Sequence, residues 1–265
     1  MGQTRMILQK IVENKREEVA RQKEILALGE LRQMLADRPP TRDFEGAIRD
    51  RGCAVIAEVK RSSPSKGLIR EDFNPIEIAG IYEDNGASAI SILTERKYFG
   101  GNAAYVPQIS RVVGLPLLRK DFIIDPYQIN ETRVLGADAL LLIARLLEAG
   151  ELRDFLGLAS ELGLAALVEV HDETDLEKAI CAGARVVGIN NRDLATFRTD
   201  FAVSIRLARM VPKGVTVVSE SGIDSRGDIE KLMEAGIHAF LVGESLMREK
   251  DVGKKLRELL GKDRV

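Results

Sequence analysis

The residues of this chain best suited to chemistry are two lysines and three glutamates, each placed where a short apolar run stops. Glu58 and Lys60 close AVIAEVK, Lys120 follows LPLLR, Glu169 is the last residue but one of LAALVEV and Glu220 follows VTVVS. Asn190 and Ser221 stand among them in VGINN and VSESG. In a site shielded from water, a protonated lysine can polarise and protonate a carbonyl oxygen, and a carboxylate can remove a proton. A second pattern occurs twice near the C-terminus. Ser221-Gly222 and Gly243-Glu244-Ser245 place a glycine and a hydroxyl at a strand–helix junction, where free N–H groups and the helix dipole can cradle a phosphate. A plain helix cap by Ser221 or Ser245 explains either junction alone; the pair favours phosphate. No metal-ligand set is legible. His171 and His238 lack an HExxH spacing, and Cys53 and Cys181 lack a CxxC partner. Both cysteines are expected as buried small apolar side chains.

Such residues act together only if the fold brings them to one place. From residue 53 onward eight apolar runs recur: 53–59, 87–93, 114–118, 137–143, 164–170, 185–189, 215–219 and 238–242. Each is strand length and several are rich in β-branched residues, as strands buried on both faces are. Helix-like stretches lie between them, and Asn85-Gly86, Leu135-Gly136, Ala182-Gly183 and Ala235-Gly236 mark where a helix stops before a strand. Eight strand–helix units over about 210 residues predict an α/β fold, a (β/α)8 TIM barrel, whose site is built at the strands' C-terminal ends. An open doubly wound sheet would carry GxGxxG after its first strand, where KRSSPSKG stands instead. Strand period two turns Glu58 and Lys60 to one face, into the barrel. Internal ion pairs filling a barrel layer are the plain alternative. Burying two Lys and three Glu at one mouth is unfavourable unless function or full pairing compensates.

Residues 4–38 differ. Ile7, Leu8, Ile11, Val12, Val19 and Ile25 recur near helical spacing between charges, and Arg38-Pro39-Pro40 ends the pattern. One or two amphipathic helices are expected there, and the chain divides into a helical extension (1–48) and one catalytic barrel domain (49–265). Lys and Arg total 39 against 41 Asp and Glu, a net charge of −2, which gives no bulk attraction for nucleic acid or an anionic membrane. No run approaches the ~18 apolar residues of a membrane span, and the N-terminus lacks a signal-peptide pattern. A cytoplasmic monomer is expected, with a homodimer as the alternative.

Seven strings, AEVKRSSPSKG, LTERKYFGG, LLRKDFIIDPYQI, LVEVHDETDLEKA, VGINNRDLATF, VSESGI and FLVGESLM, resemble in order the signatures of the indole-3-glycerol phosphate synthase family. The resemblance runs nearly the whole chain, including ILQKIVENKREEVARQK, and implies that the extension covers part of the barrel mouth and helps bind substrate. It assigns catalysis to Glu58, Lys60, Lys120, Glu169, Asn190, Glu220 and Ser221. It gives the phosphate to Lys60, Ser63 and the amides around Gly222, Gly243 and Glu244, with the Glu244 acid turned away. Phe99 and Phe122 wall the anthranilate ring, and Arg192 contacts its carboxylate side. The implied activity is that of a carboxy-lyase in tryptophan biosynthesis. It closes the ring of a small phosphorylated substrate, 1-(2-carboxyphenylamino)-1-deoxyribulose 5-phosphate, with loss of CO2 and water. Lys120 is the acid for closure, Glu169 the base, and Lys60 with Glu58 assists later proton transfers. No step calls for a metal or an organic cofactor. An isomerase barrel would instead use a Cys/Asp pair, but Cys53 starts a strand and Cys181 lies in a helix. A non-catalytic barrel would have no use for Glu58, Lys60, Lys120 and Glu169 together.

Overall fold

The computed structural model describes residues 3–49, 52–193, 196 and 198–262, with side chains from residue 7 onward. Three helices come first: α1 (Gln3–Ile25), α2 (Leu28–Gln33) and α3 (Phe44–Arg49). The strands and helices that follow are β1 (Ala54–Val59), the two-residue β2 (Ser62–Ser63) and β3 (Gly67–Leu68), α4 (Pro75–Asp84), β4 (Ala89–Leu93) and α5 (Tyr105–Ser110). Then come β5 (Leu117–Lys120), α6 (Pro126–Leu135), β6 (Ala139–Ile143), α7 (Ala149–Glu161), β7 (Ala165–Val170), α8 (Glu173–Ala182) and β8 (Val186–Asn190). The chain closes with α9 (Phe201–Ala208), β9 (Thr216–Glu220), α10 (Arg226–Glu234), β10 (Ala239–Val242), α11 (Glu244–Arg248) and α12 (Val252–Leu260).

Eight parallel strands close on themselves in the order β1-β10-β9-β8-β7-β6-β5-β4, the barrel read from the sequence. Helix starts follow from local chemistry. Asn74, Asp125 and Asp172 accept hydrogen bonds from the first free N–H groups of α4, α6 and α8, and Pro75 and Pro126 occupy first-turn positions that need no donor. Alternation then sorts each strand. Val55, Ala57 and Val59 of β1 pack outward among the helices, whereas Ala54 and Ile56 join Leu118, Leu167, Val186 and Val218 in the barrel interior.

The N-terminal segment departs from its expected shape. α1 and α2 are the two amphipathic helices, but α3 is additional and lies apart from the mouth. Its Phe44 and Ile48 are buried in the interior cluster with Ala54, Ala89, Val218 and Ala239, at the strands' N-terminal ends. That helix stoppers the base of the barrel. The expected division after residue 48 therefore cuts inside α3; residues 1, 2 and 263–265, at the ends of the two expected segments, lie outside the described residues. The antiparallel β2–β3 hairpin, Ser62↔Leu68 and Ser63↔Gly67, is also additional. The cysteines correct another expectation: Cys53 is half-buried and Cys181 exposed, because α8 turns Leu176 and Ala179 to the barrel and Cys181 off that face. No helix among the described residues is long and apolar enough to cross a membrane.

Candidate active site

Counting inward positions up each strand builds the site. The lower layers are apolar. The next inward residues are Glu58 of β1, Lys120 of β5, Glu169 of β7, Asn190 of β8 and Glu220 of β9, at the C-terminal ends. All five line one cavity of about 620 Å³, together with Lys60, Ser63, Phe99, Phe122, Arg192, Ser221, Gly222, Gly243 and Glu244. Every site residue read from the sequence is thus brought to one mouth. Two glycines make the room. A Cβ on Gly188 would collide with Oε1 of Glu220, and one on Gly243 with the carboxylate of Glu58.

Lys120 is the hub. Its Nζ lies 3.2 Å from Glu169 Oε2 and 3.2 Å from Glu220 Oε2, while Lys60 Nζ lies 2.6 Å from Glu58 Oε2. Burial alone would strip Lys120 of its proton, but Glu220, Glu169 and Glu58 together hold it charged and its pKa well above the ordinary value. The two carboxylates it bridges diverge. Burial acts on Glu169 too, yet Lys120, then His171 and a hydrogen bond with Asn190, keep its pKa below the ordinary value. Glu220 is pushed up to about 7, first by burial and then by the like charges of Glu169 and Glu58, which outweigh its share of Lys120. Its Oε1 has no hydrogen-bond partner among the described residues. Ionisable groups pushed apart in this way divide acid and base roles.

One end of the cavity is cationic and the other aromatic. At the first, Ser221 holds φ +69°, a left-handed conformation costly for a serine, and Gly222 follows at φ +83°. Ser245 Oγ donates to Ile223 O at 2.7 Å, which ties the two junctions together. Glu244 is expected to turn its acid away from the phosphate. Its carboxylate stays in the wall, where Arg192 Nη2 lies at 3.1 Å, Lys66 Nζ at 3.4 Å and Arg248 Nη1 at 3.5 Å. Burial raises its pKa, but Lys66, Arg192 and Arg248 outweigh that and lower it. At the second end Phe99 and Phe122 meet with centroids 6.0 Å apart, and Ile7, Leu8 and Ile11 of α1 close over the cavity. Glu95 presents Phe99 by accepting the N–H groups of Lys97, Tyr98 and Phe99 at 3.1, 2.7 and 3.0 Å.

Sequence reading missed several participants. Lys66 and Arg248 have no role in that reading. His171 carried no spacing signal, yet its side chain is buried with Nε2 3.4 Å from Glu169 Oε1 and Nδ1 3.7 Å from Asp175 Oδ2. Lys15 of α1 looked like one more surface charge; it is buried, with Nζ 2.9 Å from Asp121 Oδ1, the residue after Lys120. Asp121 also accepts from Thr94 Oγ1 at 2.6 Å and Arg119 Nη2 at 3.3 Å. Asp121's pKa falls below the ordinary value because Lys15 and Arg119 outweigh its burial. The signal available in the sequence was RKD itself, three consecutive charges behind an apolar strand.

A parallel eight-stranded barrel with buried lysine–carboxylate pairs at its mouth and a cationic pocket beside them defines a barrel enzyme acting on an anionic substrate. The family model for indole-3-glycerol phosphate synthase matches residues 8–259. Indole-3-glycerol phosphate synthase 2 of Ralstonia nicotianae is 47% identical over 257 residues, covering 96% of each chain. The indole-3-glycerol phosphate synthase of Sulfurimonas denitrificans is 50% identical over 258 residues, covering 96% of this chain and 98% of that one. Thiamine phosphate pyrophosphorylase from Pyrococcus furiosus, at 15% identity and a TM-score of 0.60 over 80% of this chain and 95% of that chain, shares the fold alone. This chain belongs to the indole-3-glycerol phosphate synthase family.

Proposed function

We propose that the protein converts 1-(2-carboxyphenylamino)-1-deoxyribulose 5-phosphate to indole-3-glycerol phosphate, CO2 and water. The observation that carries this reading is Lys120, 3.2 Å from both Glu169 and Glu220, between an aromatic wall and a cationic pocket. The substrate has a matching order of parts: an anthranilate ring, a ketone, and a phosphate at the far end of the sugar. With the ring against Phe99 and Phe122 and the phosphate near Ser63, Lys60, Gly222 and Gly243, the ketone falls between them, over Lys120.

In the first step the ring carbon bearing the carboxylate attacks the ketone carbon, and Lys120 places its proton on the ketone oxygen. The strong cationic character that its carboxylates impose keeps that proton available at neutral pH. The ring nitrogen becomes positive. Glu169, kept ionised, faces that charge. CO2 then leaves, and its bonding electrons restore the aromatic ring. Dehydration breaks the carbon–oxygen bond as an acid protonates the leaving hydroxyl and a base removes a proton from the carbon beside nitrogen. Lys60, held by Glu58, supplies the first group and Glu169 the second. Glu220 near pH 7 holds a proton part of the time and tunes Lys120 between them. Asn190 orients Glu169, and Arg192, 3.1 Å from Glu244, is the cation assigned to the substrate carboxylate. Incubating the purified protein with this substrate should produce indole fluorescence that grows linearly with enzyme. No fluorescence with a folded protein would remove the reading.

A further inference from the structure

Glu244 is the acid that touches most of the cations of the pocket, although Glu58 lies 2.6 Å from Lys60 and Asp224 2.8 Å from Arg248. Its carboxylate draws on Lys66 from the β2–β3 hairpin, Arg192 from the segment after β8 and Arg248 from α11, and it also feels Lys60. These groups come from four separate segments, and the Glu244 carboxylate is the one partner that Lys66, Arg192 and Arg248 share among the contacts described. A phosphate seated over the Ser221–Gly222 and Gly243–Glu244 junctions would need the same cations, and it would arrive beside a charge of its own sign. We infer that Glu244 is a resident counter-anion that substrate phosphate must displace, so that it sets the affinity and release of the phosphorylated ligand. The inference rests on the phosphate reading given above.

The physical consequence has a definite sign. Without phosphate, Glu244, together with Glu58 on Lys60 and Asp224 on Arg248, keeps these cations from repelling one another. With phosphate bound, Lys66 and Arg248 pass from carboxylate to phosphate, and Glu244 is left near a dianion. Two like unit charges about 5 Å apart oppose each other by about 1 kcal/mol even in water, so the acid weakens phosphate binding by roughly fivefold or more. Glu244 therefore weakens the grip on phosphate and speeds its departure. A site lacking the acid would hold product longer.

Calorimetric titration of the full chain with inorganic phosphate, at fixed pH and low salt, tests this. Glu244→Gln keeps the shape and removes the charge, and Glu244→Asp keeps the charge on a shorter arm. The Gln variant should bind phosphate about fivefold more tightly than the native chain, and the gap should shrink as salt is raised. The Asp variant should stay close to native. An acid that only braced α11 would give a Gln variant with equal or weaker phosphate binding, and that result overturns the inference. If the native chain binds phosphate and only the Gln effect is missing, the phosphate reading survives alone. If neither chain binds phosphate, both fall.

Discussion

Lys120 and Lys60 share one mouth but keep different company, and that difference separates their roles. Lys120 sits deep between two carboxylates, whereas Lys60 pairs with Glu58 near Ser63 and the cations around Glu244. An interaction made only in the transition state shows in kcat, and one made already in the ground state shows in KM. Lys120→Ala should therefore lower kcat by about 10²-fold or more with little change in KM, the scale of a lost general acid. Lys60→Ala should lower kcat and also weaken binding of the phosphorylated product. Steady-state constants and a product titration at one pH decide; a Lys120→Ala protein with near-native kcat and raised KM would reverse the assignment. Glu220 gives a stability signature. Its carboxyl titrates near 7 when folded, above its ordinary 4.5, so between those values the folded chain keeps a proton that the unfolded chain has released. Stability then falls as pH rises through that window. Glu220→Gln lacks the proton and should gain melting temperature relative to native on going from pH 5 to pH 8. A constant difference across that range would mean that Glu220 is ordinary in the folded state.

The helices before the barrel serve its two ends separately. α1 carries Ile7, Leu8 and Ile11 over the cavity and sends Lys15 to Asp121 beside Lys120, while α3 fills the base with Phe44 and Ile48. Removing residues 1–38 should leave a folded barrel with a markedly raised KM, because the wall over the ring and the clamp behind Lys120 are both lost. Phe44→Ala should act oppositely, costing about 3–5 kcal/mol of stability with KM unchanged, as a buried aromatic does when truncated. Melting curves and KM for the two proteins separate the functions, and a truncation with native KM would show that α1 plays no part in binding. This division also marks what could be read from residues alone. Strands such as AVIAEV and ALLLI announce themselves because both faces are buried, and inward parity carries Glu58 and Glu169 to the mouth without any coordinates. α3 stays hidden because FEGAIR offers a single apolar pair at i,i+4, too little to show a period. The β2–β3 hairpin stays hidden because two-residue strands have no alternation. Lys15 stays hidden for a different reason: Asp121, a buried partner distant in sequence, converts an ordinary surface residue into a site component, and no local pattern records it.

Across the whole molecule, the partners of the first 49 residues lie far down the chain. Lys15 meets Asp121, Tyr127 donates to Leu26 O at 3.1 Å, and Phe44 and Ile48 share a cluster with Val218 and Ala239. Contacts of such separation form late, since long loops must close before they are rewarded. In refolding followed by pulsed hydrogen exchange, the amides of α3 should gain protection with or after those of β9 and β10. Earlier protection of α3 would mean that it nucleates the barrel instead. The stopper at the base has a further consequence during synthesis. On the ribosome, the segment that seals the barrel floor emerges before any strand it seals against. Phe44 and Ile48, together with Val19 and Leu31, which end buried in their own cluster, spend most of translation without their final neighbours. The nascent chain thus exposes these apolar side chains early, and a chaperone that meets them there guards the floor of a barrel whose last staves are still unmade.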